Sequence, residues 1–196
     1  MSPIIARFSL VLAATAGLTT VSLSAHAEDT TYRSADHWGR SGLTAGADLG
    51  FGTMRCSGDG GCDDFTESGS FGLHIGAMLN SRLAILADAW LMLHTEDRLT
   101  VSQGFLTAAA RVWAIPHLWF QAGLGVARAE YRYDGTFAEF GDHTEWVPAF
   151  QLGVGVEVIA THSFGLDIAF RYGTGFYSDG DYRIHNLALV VGASFY

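Results

Sequence analysis

Three features of this 196-residue sequence predict an all-β fold, a transmembrane eight-stranded antiparallel up-and-down β-barrel. The first is a period of two. Trp146, Pro148, Phe150, Leu152, Val154, Val156 and Val158 alternate with Val147, Ala149, Gln151, Gly153, Gly155 and Glu157, a strand longer than the roughly five or six residues usual in soluble domains. The second is the distribution of charge. Asp48, His74, Asp88, Arg111, Glu157, Asp167 and Arg171 fall on the small, polar face of their strands, and the apolar face is almost free of charge through mid-strand. An apolar outside around a polar, glycine-rich inside is the pattern of a membrane barrel; a soluble ligand-binding barrel would reverse it. The third is an alternation of connections, long after strands one, three, five and seven and short after two, four and six. This suits an even-stranded barrel with short periplasmic turns, longer outer loops and both ends of the chain on the periplasmic side.

Composition agrees. Gly 24, Phe 13, Tyr 7 and Trp 5 favour strands and aromatic girdles, while charged residues make up only 16% and lysine is absent. A net charge of −9 excludes the basic footprint of a nucleic-acid-binding protein. After the N-terminal segment no apolar run approaches the roughly 18 residues of a membrane helix, so membrane entry is by strands.

In chain order, residues 1–27 read as a secretory signal: Arg7 supplies the positive start, Phe8 to Leu18 the apolar length, and Ala25-His26-Ala27 the cleavage site. Residues 28–41 form a polar periplasmic lead-in, and the barrel occupies 42–196. Strand one puts Leu43, Leu49 and Phe51 outward and Thr44, Asp48 and Gly50 inward. An acidic loop over Arg55 to Ser70 follows. It holds the chain's two cysteines, Cys56 and Cys62, with five residues between them; in an exported protein these form a local disulfide. Strand two, from Phe71, brings His74 inward and turns at Asn80-Ser81. Strand three alternates Leu83 to Leu93 against Ala84, Leu86, Asp88, Trp90 and Met92, and a charged loop spans Thr95 to Leu99. Strand four, Thr100 to Ala114, turns Gln103, Thr107 and Arg111 inward and ends at Pro116-His117. Strand five, from Leu118, carries Gln121 inward and continues as Arg128, Glu130 and Arg132; charges cannot face lipid at depth, so this strand projects beyond the membrane. A loop over Asp134 to His143 leads to strand six. After Thr161 to Ser163 comes strand seven with Phe164, Leu166, Ile168, Phe170 and Tyr172 outward and Asp167 and Arg171 inward. A loop over Tyr177 to Asp181 precedes the last strand, which ends on Phe195-Tyr196. Trp90, Trp113, Trp119 and Trp146, with Phe120, Tyr131, Tyr133, Tyr172, Phe176 and Tyr182, lie toward strand ends and read as interface girdles.

With eight strands, this alternation of connections and an aromatic C-terminal pair, the chain resembles the small outer-membrane barrels of the OmpA and OmpX type over residues 42–196. The resemblance implies integral residence in the outer membrane of a Gram-negative envelope, with outer-membrane lipids and lipopolysaccharide as surroundings. It also implies recognition by the barrel-assembly machinery through a terminal aromatic, here Phe195 or Tyr196; outward parity ends on Phe195.

Eight strands enclose a lumen that side chains can fill. The interior polar residues Asp48, His74, Asp88, Arg111, Gln121, Glu157, Asp167 and Arg171 are expected to form a plug in two layers: Asp48, His74 and Asp88 near Arg171, and Arg111, Gln121, Glu157 and Asp167 lower down. The reading is non-enzymatic, structural or surface-interacting, with an extracellular ligand held by the acidic loops. No catalytic, metal or cofactor site is assigned: two thiols are a poor zinc site, and the acidic loop lacks EF-hand spacing. A narrow pore or small-solute channel is one alternative. A lipid A modifying enzyme is the other; His94, His143 and His185 lie near the outer rim, but the His-x-Ser-Asn motif of the deacylases is missing.

Overall fold

The computed structural model describes residues 39–58, 65–96, 99–134, 139–177 and 182–196, without the side chains of 65–66, 133–134 and 139–142. The expected signal, most of the lead-in, Cys62 and the loop acids Asp59, Asp63 and Asp64 lie outside the described residues. Nine strand segments follow in chain order: β1 Gly42–Ser57, β2 Phe65–Asn80, β3 Leu83–Glu96, β4 Leu99–Ile115, β5 Leu118–Asp134, β6 Glu139–His143, β7 Val147–Ala160, β8 Phe164–Tyr177 and β9 Tyr182–Phe195. Each pairs antiparallel with its neighbours in the order β4-β3-β2-β1-β9-β8-β7-β5-β6, and pairing of β4 with β5 closes the ring. Because β6 and β7 both pair with β5, they are two segments of one wall strand, and the barrel has eight.

Alternation assigns the faces as the charge distribution requires. Leu43, Leu49, Leu124 and Phe195 are 61–75% exposed, whereas their neighbours Thr44, Asp48, Gly123 and Ser194 are buried. In water such an outer surface would be an aggregation hazard; in lipid it is the solvated face.

The ladders outrun the alternation at the outer end. The expected loop from Arg55 to Ser70 shrinks, since β1 continues to Ser57 and β2 begins at Phe65. Likewise β3 and β4 extend to Glu96 and Leu99, and β6 lies inside the expected loop from Asp134 to His143. Above the membrane both faces of a strand meet water, so the apolar period ends while the backbone hydrogen bonds go on.

Three tryptophans correct the girdle expectation. Trp90 and Trp113 are 1% exposed and Trp119 4%, all inside the lumen. Trp90 Nε1 donates to Ser70 Oγ at 2.9 Å and Trp113 Nε1 to Glu157 Oε1 at 2.8 Å. An eight-stranded ring leaves an interior that must be filled, and indole fills it where the opposite strand yields room. Gly173 yields such room: a Cβ there would stand 2.6 Å from the Trp90 ring and 3.1 Å from Phe105. Trp146, Phe120, Phe176 and Tyr172 do stand on the outer face, while Tyr131 and Tyr182 turn inward and Tyr133 lies among the undescribed side chains.

Candidate functional site

Among the described residues, hydrogen-bonded side chains lie in the lumen at successive heights. At mid-height Arg171 of β8 reaches across the ring. Its Nη1 donates to Asp48 Oδ2 at 2.7 Å, and its Nη2 to Asp88 Oδ1 at 2.5 Å and Gln151 Oε1 at 3.0 Å, while its guanidinium stands 4.8 Å from the Trp90 ring. Gln121 Nε2 donates to the other Asp88 oxygen at 2.9 Å, and Arg111 Nε donates to Gln121 Oε1 at 2.9 Å. Arg111 also lies over the Trp119 ring at 4.3 Å. Burying these charges is costly, and each guanidinium or amide offsets the cost by facing a carboxylate or an aromatic ring.

His74 Nε2 is 3.2 Å from Ser194 Oγ. Asp48, His74, Arg111, Gln121, Asp167 and Arg171 line a common void of only about 10 Å³, close to the lower limit for one water molecule. The two expected layers therefore interlock: Gln121 joins Arg111 to Asp88, and Asp167 lies beside Asp48. Glu157 is the exception.

Glu157 belongs instead to a buried cluster at the mouth where both ends of the barrel sequence meet, which the sequence did not suggest. Its Oε2 pairs with the guanidinium of Arg40, which is itself 4% exposed and also donates to the Pro116 carbonyl at 3.3 Å. Tyr196 Oη donates to Glu157 Oε1 at 2.8 Å. Arg40 lies between two rings, 4.8 Å from Trp113 and 5.2 Å from Tyr196. Residue Arg40 was expected in a solvated lead-in; Gly42, with φ of 83°, turns the chain so that it enters the barrel. The available signal was parity, since Arg40 lies four positions before inward Thr44, and Tyr196 lies two beyond inward Ser194. Phe195 points outward against Phe164, with ring centroids 5.3 Å apart.

Toward the outer mouth, Gln151 Nε2 donates to Thr107 Oγ1 at 2.5 Å, Asn186 Nδ2 to Gln103 Oε1 at 2.5 Å, and Gln103 Nε2 to Tyr177 Oη at 2.7 Å. These neutral amides extend the charged centre upward. They were legible as inward positions, but nothing in the sequence shows which amide meets which hydroxyl.

A separate group lies on the outer rim. Ser57 Oγ is 2.9 Å from His185 Nε2, and Tyr172 Oη is 2.8 Å from His185 Nδ1, with the tyrosine and histidine rings stacked at 6.1 Å. Cys56 precedes Ser57, the last residue of β1.

A closed, outward-apolar ring around a buried polar column matches a known family. The family model described as "Outer membrane protein beta-barrel domain" aligns with residues 13–195. This chain belongs to the outer-membrane β-barrel family. No curated protein sequence matches it. The attachment invasion locus protein Ail of Yersinia pestis has a similar fold, with a TM-score of 0.58 and 14% identity, covering 79% of this chain and 99% of its own. Neisserial surface protein A is similar with a TM-score of 0.56 and 15% identity, over 79% of this chain and 97% of its own. At such identities the likeness is one of fold. The barrel is thus an integral outer-membrane protein, with its apolar belt in lipid.

Proposed function

We propose that this barrel is a sealed, non-enzymatic envelope protein that acts structurally and through its outer surface. The column running from Tyr177 through Gln103, Gln151, Arg171, Asp88 and Gln121 to Arg111, closed below by Arg40 and Glu157, carries the reading. Charged groups held this way oppose a water path. The chain's other expected features fit this role: residues 1–27 as the export signal, Phe195 as the outward aromatic offered to the assembly machinery, and a Cys56–Cys62 bond pinning the first outer loop. The Yersinia pestis barrel was also solved in complex with the heparin analogue sucrose octasulfate. With a net charge of −9, the present chain is suited to a ligand of the opposite sign.

Planar-bilayer conductance of the refolded protein tests the sealed lumen, with Arg111→Ala and Arg171→Ala alongside. The expected result is a silent parent and a steady current from at least one variant. An ion-selective current through the parent refutes the reading and makes the lumen a pore.

A second reading rests on the Ser57, His185 and Tyr172 group. A serine hydroxyl on one imidazole nitrogen and a polar orienting group on the other is the arrangement of a base-activated nucleophile. Here it sits on the outside, where lipid A esters would be reached. Expression of the parent and of Ser57→Ala should leave the lipid A mass spectrum the same if the rim group is structural; loss of acyl mass with the parent alone would make the protein a deacylase.

A further inference from the structure

Among the described residues, the outer end of the barrel wall parts between β7 and β8. The β7–β8 ladder reaches no higher than Ala149 opposite Gly175, although β7 begins at Val147 and β8 runs on to Tyr177. Among the described residues β6 pairs with β5 alone, leaving its other edge without a strand. Thr144 accounts for the parting. Its backbone N–H donates to the Ala129 carbonyl and its hydroxyl accepts from the Ala129 N–H, both at 2.9 Å. The segment is thereby gathered toward β5, where Arg128 and Ala129 oppose the three residues 144–146. Between this segment and β8 lies a side cleft of about 610 Å³, within the rough 300–1,000 Å³ range of small-molecule sites.

The lining has a definite chemistry. Trp146 and Phe176 form its outer side and are exposed, whereas Tyr131, Tyr177 and Tyr182 stand behind them from the lumen side. Glu145 adds a carboxylate and His143 an imidazole, and no arginine contributes to the lining. Tyr131 lies in the part of β5 beyond the membrane, where burial and the neighbouring Tyr182 phenol push its pKa up to about 12; it stays neutral. Burial raises Tyr177 in the same sense. Neutral aromatic faces are negative at their centres and attract cations. One cation already responds: the Arg183 guanidinium stands 5.4 Å from the Phe176 ring.

We propose that this cleft binds a small organic cation, its ammonium group against Glu145 and its aromatic or alkyl body among Tyr131, Trp146, Phe176, Tyr177 and Tyr182. Electrostatic complementarity selects the occupant: the tyrosine, tryptophan and phenylalanine rings and the Glu145 carboxylate favour a monocation over an anion or a neutral molecule of the same size. The proposal rests on the surface-interaction half of the reading above. Conductance tests the sealed lumen and ligand titration tests the cleft, so either can fail alone.

The experiment is calorimetric titration of the protein at pH 7, refolded in neutral maltoside micelles, with benzylammonium, whose N–H groups can donate to the Glu145 carboxylate. Benzenesulfonate and benzyl alcohol serve as the anionic and neutral comparisons. Saturable binding of the cation is expected, with both comparisons weaker by at least about tenfold, the effect of one charge-assisted contact. Glu145→Gln should weaken the cation about tenfold on the same grounds. Arg183→Ala removes a like charge and uncovers the Phe176 ring, so it should tighten binding, a gain that misfolding cannot imitate. Absence of saturable binding to the parent overturns the proposal. So does benzyl alcohol binding as tightly as the cation, or an affinity that neither substitution changes.

Discussion

Replacing Arg171 by methionine tests the lumen most directly. Methionine keeps an unbranched, space-filling stem but removes the charge and three hydrogen bonds, at 2.7, 2.5 and 3.0 Å to Asp48, Asp88 and Gln151. Asp48 and Asp88 are 7% and 0% exposed, so neither carboxylate can turn to water when its cation is gone. Removing one partner of a buried pair costs about 3–5 kcal/mol, mainly through the charge left behind. The lost hydrogen bond to Gln151 would add about 1 kcal/mol if it were independent. Because the contacts share one guanidinium they do not add fully, and the expected loss is about 4 kcal/mol. The assay is reversible urea unfolding in phospholipid vesicles, where the midpoint should fall without a change of slope. If the residual charges cause the loss, a triple variant that also carries Asp48→Asn and Asp88→Asn should recover more than half of it. A single-variant loss below about 1 kcal/mol would refute the buried ion pairs; a triple variant less stable than the single one would refute the charge argument.

Other substitutions separate packing, closure and assembly. Gly173→Ala drives a Cβ against Trp90 and Phe105 and should cost about 1–3 kcal/mol in the same unfolding assay. Gly104→Ala, whose Cβ would meet nothing within 4 Å, should be neutral or slightly stabilising. Arg40→Ala leaves the Glu157 carboxylate buried without its cation and should lower stability by about 3 kcal/mol; an unfolding midpoint equal to the parent's would show that this buried cluster is idle. Phe195→Ala and Tyr196→Ala should divide by phenotype: the first lowers the fraction assembled in the outer membrane of cells, and the second lowers unfolding stability through Glu157 with assembly retained.

Strand identity, facing and closure were legible because lipid imposes one rule at every depth. A strand that meets hydrocarbon on one side and a filled lumen on the other must alternate, so Leu43 to Phe51 and Phe164 to Tyr172 display their faces in the sequence itself. The tryptophans were less legible. Trp90, Trp113 and Trp119 are amphipathic residues that suit an interface as well as an interior, and only the register of opposing strands shows that Gly173 leaves room for one of them. Strand ends were obscured for the opposite reason, since beyond the membrane no rule of alternation remains while the ladder of β6 with β5 persists.

Which residues of the strands face inward was therefore set by the sequence itself, whereas Arg40 and Tyr196, at the two ends of the alternation, were brought inside only by the folded barrel. Which of them meet was decided by the tertiary structure. Ring closure and strand stagger place Arg171 of β8 between Asp48 of β1 and Asp88 of β3, and Arg40 against Glu157, 117 positions away. The sequence cannot show this, because alternation specifies a side and contact depends on height, which is set by the shear of all eight strands together. The side cleft has the same origin: Thr144 and Glu145 look like loop residues until the pairing of β5 and the end of the β7–β8 ladder set them at the edge of an opening.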